Sequence, residues 1–467
     1  MVAAAVGVIA AVVLVGGVVV LVGGVVVVLA DVVVVAGTVV VVIADVVVVG
    51  AVTAGGLVAF ELVSSPPHEA DTATNPETTT VDSGPSDGDC LTPASATFAG
   101  PFEVDPEDYP FQSCAFETDV GRIHYFDEGP RDASETILMV HGNPTWSYLY
   151  RNIAKAMLED GHRVVALDHL GMGMSDAPST SSFDYRPRSH AQHLEELVVA
   201  LDLQSVTLVV QDWGGPIGLG MATRQPERIS RMLIMNTWAW SIDLDDPGDY
   251  HELVAWTEQD SRFLGSTPTA FCDLALRGQS QLNAAEADPS RGELYERVLA
   301  AYLSPAIDPV TGDYRTSEPC APMLIFAQSI GEDDAFQGEV EAQMERLRGK
   351  PYSLLFGLSD QLFGALRCDT TLDQPCPEGT TCMCDDELLP ARVEGGCDEP
   401  AAAGFRICAR PDGSVVEPYA DRFVELLGSE SLVGREAVRD ADHMILEWAP
   451  ERVIQALRGL LAHQEAE

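Results

Sequence analysis

The stretch that most constrains this chain runs from Ser205 to Arg224. Val206 to Val210 is a β-branched run of the kind that forms a buried strand. Gln211-Asp212-Trp213 ends it, and Gly214-Gly215 frees the backbone to turn sharply into an amphipathic helix. Such a strand–turn–helix corner, a nucleophile elbow, holds one reactive side chain at its apex. The apex residue here is Asp212, in a place where serine is usual. An aspartate, with an ordinary pKa near 3.9, is already ionised at neutral pH and needs no base in order to attack.

The surrounding chain supplies a scaffold for that corner. Ala115–Thr118 and Arg122–Glu128 read as two antiparallel strands, followed by an apolar strand over Thr136–Val140 that ends in His141-Gly-Asn-Pro-Thr145. A helix is expected through Trp146–Leu158, a strand over Arg163–Leu167, a helix over His190–Leu201, the elbow, and a strand over Ile229–Met235. Alternation of this kind implies a mostly parallel, doubly wound sheet. Ligands bind beyond the carboxyl ends of the strands in such sheets, where Asn143, Asp168, Asp212 and Asn236 all fall. From Thr237 to about Arg348 the pattern turns helical and aromatic, the signature of a cap inserted after the sixth strand. Tyr352–Phe356 resumes the sheet and leads into Asp360. A helix over Tyr419–Leu427, a last strand over Glu436–Arg439, His443 and a closing helix from Pro450 to Ala462 complete the core.

Three segments are foreign to this plan. Residues 1–63 are a Val/Ala/Gly tract in which Ala3 to Ala30 carries no charge, longer than the roughly 20 residues a membrane-spanning helix needs. One to three membrane passes, tethering an extracytoplasmic domain, are expected from length and hydropathy. The absence of Lys or Arg before Arg122 leaves the orientation open, and a translated repetitive stretch upstream of the true start is the rival reading, under which the protein is cytoplasmic. Residues 64–110, rich in Thr, Ser, Pro, Asp and Glu, read as a disordered tether ahead of a core at 111–236, a cap at 237–348 and a second core segment at 349–467. Inside that last segment Cys368, Cys376, Cys382, Cys384, Cys397 and Cys408 crowd into an insertion over 368–408 after the seventh strand. Their clustering points to disulfides and an oxidising compartment. Zinc is disfavoured, since Cys382-Met-Cys384 lacks the usual two-residue spacing and no histidine lies nearby. The formal net charge of −45 opposes nucleic-acid binding and fits an acidic, solvated surface or a codon bias.

Asp212, Asp360 and His443 follow the chain order nucleophile, acid, histidine. With them stand His141-Gly-Asn-Pro-Thr-Trp-Ser-Tyr-Leu-Tyr-Arg151, Gly171-Met-Gly-Met-Ser-Asp-Ala-Pro178, Val209-Val-Gln-Asp-Trp-Gly-Gly215 and Leu233-Ile-Met-Asn-Thr-Trp238. Together these closely resemble the haloalkane dehalogenases of the α/β-hydrolase fold, over about Phe111–Leu366 and from Tyr419 to the C-terminus. The resemblance implies that Asp212 displaces halide from a haloalkane to give an alkyl ester, which water then hydrolyses. It implies Trp213 and Asn143 as donors to the departing halide, His443 as the base and Asp360 as its acid, with no cofactor and no metal. The residues themselves agree: an indole N–H is donor-only and an amide offers two N–H groups, and donors that act as charge develops lower a barrier. The backbone N–H groups of Asn143 and Trp213 are placed to form an oxyanion hole.

Some alternatives stay open at this level. The acid lies beside the insertion, where Asp369 is a second candidate. Epoxide hydrolases share an Asp nucleophile and use cap tyrosines as acids, for which Tyr250, Tyr295, Tyr302 and Tyr314 are available. A catalytically inactive, membrane-tethered binding domain with the Cys-rich insertion as its recognition surface is the reading from a different class. His141, Asp168 and Asp176 read as structural.

Overall fold

The computed structural model describes strands between residues 10 and 63, and residues 90–93, 104–242, 292–306, 323–326, 329, 334–360, 362–364, 376, 379–384, 406–412, 414–439 and 441–463. It divides into two units, Met1–Gly84 and Pro85–Glu467. In the first, Ala10–Leu14, Gly17–Val22 and Val25–Leu29 form an antiparallel sheet, and Val33–Val35, Thr38–Ile43, Val46–Val52 and Val58–Val63 form another. The described residues of 1–63 form strands, and the membrane-spanning helix expected there finds no support among them. Among the described residues no helix is long and apolar enough to cross a membrane. Valine is β-branched and favours strands.

The second unit is built on a sheet whose principal strands are β1 (Cys114–Glu117), β2 (Arg122–Glu128), β3 (Thr136–Val140), β4 (Arg163–Leu167), β5 (Val206–Gln211), β6 (Ile229–Met235), β7 (Tyr352–Gly357) and β8 (Leu432–Val438). They lie in the order β8-β7-β6-β5-β3-β4-β2-β1, with Thr92–Pro93 added at the β1 edge. From β4 through β8 every neighbour is parallel; β2 is antiparallel to β4 and to β1. β3, β5 and β7 are buried along their whole length, as strands covered on both faces must be. On one face α2 (Pro187–Ala200) and α3 (Gly214–Arg224) pack, with Leu194, Leu197, Ile217 and Met221 in one apolar layer. On the other lie α1 (Arg151–Glu159) and the C-terminal helix Pro450–Ala462, with Ile153, Met157, Val453 and Leu457 in a second layer.

Part of the expected tether belongs to this folded unit. Cys90 is disulfide-bonded to Cys114, Thr92–Pro93 pairs with Cys114 and Ala115, and buried Tyr109 shares a 2.6 Å hydrogen bond with the hydroxyl of Ser147. One crosslink and one anchored aromatic hold a segment whose composition is otherwise that of a linker.

Of the cap, helix Gly292–Leu303, a short helical stretch at 323–326 and helix Asp334–Gln343 are described. Trp238 and Trp240 pack into the core layer, which also takes in Met323, Phe326 and Phe336, with Trp240 against Phe423 at 5.0 Å. The Cys-rich insertion contributes an antiparallel hairpin, Thr381–Cys384 with Arg406–Ala409, closed by a Cys376–Cys408 disulfide. Most other insertion residues, Asp369 among them, lie outside the described residues.

Candidate active site

The elbow places Asp212 by backbone geometry alone. Its φ is 51°, a left-handed conformation that costs a non-glycine residue about 1–3 kcal/mol, so the surroundings must hold it there. They do so with a hydrogen bond from the Asp212 N–H to the Asn236 carbonyl at 3.0 Å, one from the Gly215 N–H to the Asp212 carbonyl at 2.9 Å, and one from the Thr237 hydroxyl to that same carbonyl. The next helix crosses β3 so closely that a side chain on Gly214 would run into the Val140 carbonyl. Gly142 is needed on the opposite side, where a β-carbon would meet the Asp212 carboxylate itself. Sequence and geometry agree on why glycines flank this site.

The Asp212 carboxylate is buried and ringed by complementary groups. Its Oδ1 accepts the Asn143 backbone N–H at 2.7 Å, and the Trp213 backbone N–H also donates to the carboxylate. Its Oδ2 faces His443 Nε2 at 3.5 Å. Burial raises the Asp212 pKa above the ordinary value; His443 and the two backbone N–H groups offset part of that shift. Across the imidazole, His443 Nδ1 stands 3.0 Å from Asp360 Oδ2. Burial alone would lower the His443 pKa. The charge and hydrogen bond of Asp360, followed by the charges of Asp212 and Asp442, outweigh it and raise the value to about 9. The structure thus brings Asp212, His443 and Asp360 into one line.

Asn143 and Trp213, expected as donors, flank the same carboxylate and are almost fully buried. One N–H of the Asn143 amide donates to the Met323 carbonyl of the cap at 3.1 Å, which leaves the second N–H for an anion. The Trp213 ring lies edge-to-face with Trp238 at 4.7 Å and tilted against Phe326 at 5.3 Å. A single turn of the cap, through Met323 and Phe326, therefore contacts both donor residues.

Several participants were not singled out in the sequence. Gln211, one residue before the elbow apex, donates to the His443 carbonyl at 3.1 Å and lies 3.3 Å from its Nε2. Asn236, noted only as lying at a strand end, ties the histidine loop to the sheet: its amide donates to the Asp442 carbonyl at 2.9 Å and accepts the Gly357 N–H at 2.9 Å. Asp442 is pushed up to about 6, by burial first and by neighbouring Asp360 next, against its hydrogen bond from the Met444 N–H. The sequence signal for the first two was a polar residue closing an otherwise apolar strand. Asp442 carried no such signal.

His141 and Asp168 hold structure, as expected. His141 accepts the His169 N–H at 3.0 Å, and Asp168 accepts the Ser147 and Met174 N–H groups at 2.7 and 2.8 Å. Asp176 pairs with Arg122 at 2.9 Å. Tyr302, a candidate epoxide acid, donates a hydrogen bond from its hydroxyl to Glu447 at 2.6 Å, and Glu447 is also held by Arg151. Tyr250 and Tyr314 lie outside the described residues, as does the side chain of Tyr295. Among the described residues no group of three or more His, Cys, Asp or Glu could hold a metal ion.

Strand order, elbow and inserted cap define an α/β-hydrolase fold, and the family described as alpha/beta hydrolase fold matches residues 135–377. A haloalkane dehalogenase of Psychrobacter cryohalolentis is 32% identical over 240 residues, 51% of this chain and 71% of that protein. The chain belongs to the haloalkane dehalogenase family of α/β-hydrolases. Two further relatives are matched over shorter stretches. Haloalkane dehalogenase 2 of Mycobacterium tuberculosis is 45% identical over 142 residues, 30% of this chain and 48% of that protein. A cis-3-alkyl-4-alkyloxetan-2-one decarboxylase of Shewanella oneidensis is 43% identical over 134 residues, 28% of this chain and 41% of that protein. The chain thus spans under half the length of these two relatives. Among solved structures, a tetrameric haloalkane dehalogenase from Paraglaciecola agarilytica superposes with a TM-score of 0.53 at 20% identity, covering 78% of this chain and 98% of that one. That likeness speaks to the fold alone.

Proposed function

We propose that the chain hydrolyses haloalkanes to an alcohol and halide through a covalent ester on Asp212. The observation that carries this reading is an Asp212 carboxylate with two backbone N–H groups on one side and His443 Nε2 at 3.5 Å on the other. In the first step a carboxylate oxygen of Asp212 attacks the halogen-bearing carbon in line; the new C–O bond forms as the C–X bond breaks, and X leaves with the bonding pair. The Asn143 amide and the Trp213 indole donate to the departing halide, each worth about 3 kcal/mol by analogy with oxyanion-hole deletions. In the second step His443 takes a proton from water, whose oxygen attacks the Asp212 carbonyl carbon. The tetrahedral oxyanion rests on the Asn143 and Trp213 N–H groups and collapses to release the alcohol. One haloalkane and one water give one alcohol, one halide and one proton.

Charge coupling supports this division of labour. In the free enzyme Asp212 helps raise the His443 pKa. Once alkylated, Asp212 carries no charge, that contribution vanishes, and His443 moves toward the neutral form a base must have. Asp360 fixes the tautomer and stabilises the imidazolium. No cofactor enters either step, and the substrates are a small halogenated alkane and water. Residues 237–348 are proposed as the cap over this site, 64–110 in part as a linker, and 368–408 as an insertion into the second core segment.

The match to the oxetanone decarboxylase favours a second reading. There Asp212 would open a four-membered lactone at its alkyl carbon, expelling a carboxylate; loss of CO2 would then form the alkene and return Asp212. That route needs no water and no base. The Asp360–His443 relay favours hydrolysis, which needs both. The test is halide release from 1-bromobutane beside alkene and CO2 from a 3,4-dialkyloxetan-2-one. Halide release by the wild type, lost at least about 10⁴-fold in Asp212→Asn, is the expected result. Alkene without halide would replace this reading with the second.

A further inference from the structure

The Cys-rich insertion is absorbed by neither reading, yet its Ile407 packs on Leu358, two residues before the proposed acid. We propose that its hairpin positions Asp360 for His443, with Ile407 bearing on Leu358 as the contact and the Cys376–Cys408 disulfide as the brace; this rests on the functional reading above. Leu358 lies two residues before Asp360, in the turn that leaves β7. Among the described residues it is buried with Ile407 in a small apolar cluster, edged by Val415 and Ala437 and separate from the two main layers. The acid loop therefore takes apolar support from two sides: Leu358 from Ile407 of the insertion, and Leu362 and Phe363 from the core, where Phe363 stacks on Trp238 at 5.3 Å.

Backbone bonds fix the other side of the same loop. The Leu358 N–H donates to the Val438 carbonyl at 2.9 Å and the Ser359 N–H to the Ala441 carbonyl at 3.1 Å, while the Leu362 N–H donates to Asp360 Oδ1 at 2.8 Å. These bonds set the height of the loop above the sheet. Ile407, pressing on Leu358, sets how far it can swing away from His443. The hairpin itself is pinned to the folded unit twice more. The Val416 N–H donates to the Cys408 carbonyl at 2.9 Å, and Arg410, one residue past the hairpin strand, pairs with Asp421. Asp421 in turn binds Arg435 of β8 at 2.8 Å. The path from the disulfide to β8 is thus continuous: Cys376–Cys408, Arg410, Asp421, Arg435. With Cys408 fully buried and packed on Val416, the brace belongs to the interior. Small apolar contacts that set a neighbouring side chain within a fraction of an ångström matter more to a proton relay than to folding.

The experiment uses full-length Ile407→Ala, the conservative Ile407→Leu, and a paired Cys376→Ser/Cys408→Ser variant. Two quantities are followed: the titration of His443 by NMR, which needs no substrate, and pre-steady-state bromide release from 1-bromobutane. Ile407→Ala and the cysteine pair should lower the His443 pKa by about one unit or more, because a displaced Asp360 no longer favours the imidazolium. They should keep the bromide burst, which depends on Asp212, while steady turnover falls about tenfold or more and the alkyl-enzyme accumulates. Ile407→Leu should restore both. An unchanged His443 titration with an unchanged burst-to-turnover ratio would overturn the proposal. So would equal loss of burst and turnover alongside a lower Tm, which marks a merely structural role. A wild type that releases no bromide refutes the dehalogenase reading instead, and the His443 titration still decides the positioning claim.

Discussion

The elbow and the acid–histidine loops meet in one site but are held by different means. Asp212 is fixed almost entirely by its own neighbourhood: a left-handed backbone, glycines at 214 and 215, and Asn236 and Thr237 from the adjoining strand end. Asp360 and His443 sit on loops whose order is borrowed from afar. Gln211 reaches the histidine loop across 232 residues of sequence, Asn236 reaches Asp442 across 206, and Ile407 supports the acid loop from within an insertion. Local fixing makes the nucleophile step tolerant of distant change, whereas borrowed order exposes the hydrolytic step to it.

That contrast can be broken by separating the two steps kinetically. Asp360→Asn gives the largest expected effect outside the nucleophile: steady turnover should fall by about 10³–10⁴-fold, with the halide burst largely kept. Equal loss of both would put Asp360 in the first step and remove the contrast. Asn143→Ala should act in the opposite sense, slowing the burst about 10²–10³-fold with little further effect on hydrolysis beyond its backbone donor, which the substitution retains. The check is rapid-quench halide measurement over the first turnover.

Acidity sharpens the same comparison. Alkylation should disappear as pH falls through the Asp212 pKa, which burial places above that of an ordinary aspartate. Hydrolysis should rise with pH as His443 loses its proton in the alkyl-enzyme, at a pH below its free-enzyme value of about 9. Stability runs the other way. A histidine raised from 6.5 to about 9 in the folded state adds stability that is fully present below 6.5 and lost as pH climbs to 9. Chemical denaturation at pH 6 and pH 9.5 measures the difference, which should vanish in a His443→Phe background. The smallest effect is expected from Asn236→Ala. It leaves the Gly357 N–H and the Asp442 carbonyl without their partner, so stability should fall by about 1–3 kcal/mol, with turnover reduced more than the burst.

Much of this was legible in the chain. Seven of the eight principal strands fall where alternation of apolar and turn residues put them, because buried strands show as apolar, β-branched runs; the last, Leu432–Val438, begins four residues before the expected Glu436 because its Gly434, Arg435 and Glu436 interrupt any such run. The proposed triad was legible for a similar reason: each member follows a strand end, and strand ends converge. For residues 1–63 hydropathy alone cannot tell a spanning helix from a set of short strands, whereas the β-branching of valine favours the strands described there. Asp442 and Ile407 were invisible, and Gln211 was marked only as a polar strand end, because their partners are distant in sequence. Only the folded sheet brings a strand end, a histidine loop and an inserted hairpin within bonding distance.

The central claim is that Asp212 forms a covalent ester which His443 is needed to clear. Incubating His443→Phe with 1-bromobutane and weighing the peptide that spans Val206–Arg224 tests it most directly. The account predicts a mass increase of one butyl group, located on Asp212, with one equivalent of bromide released per chain. Bromide released over many turnovers, with that peptide unchanged in mass, would contradict it.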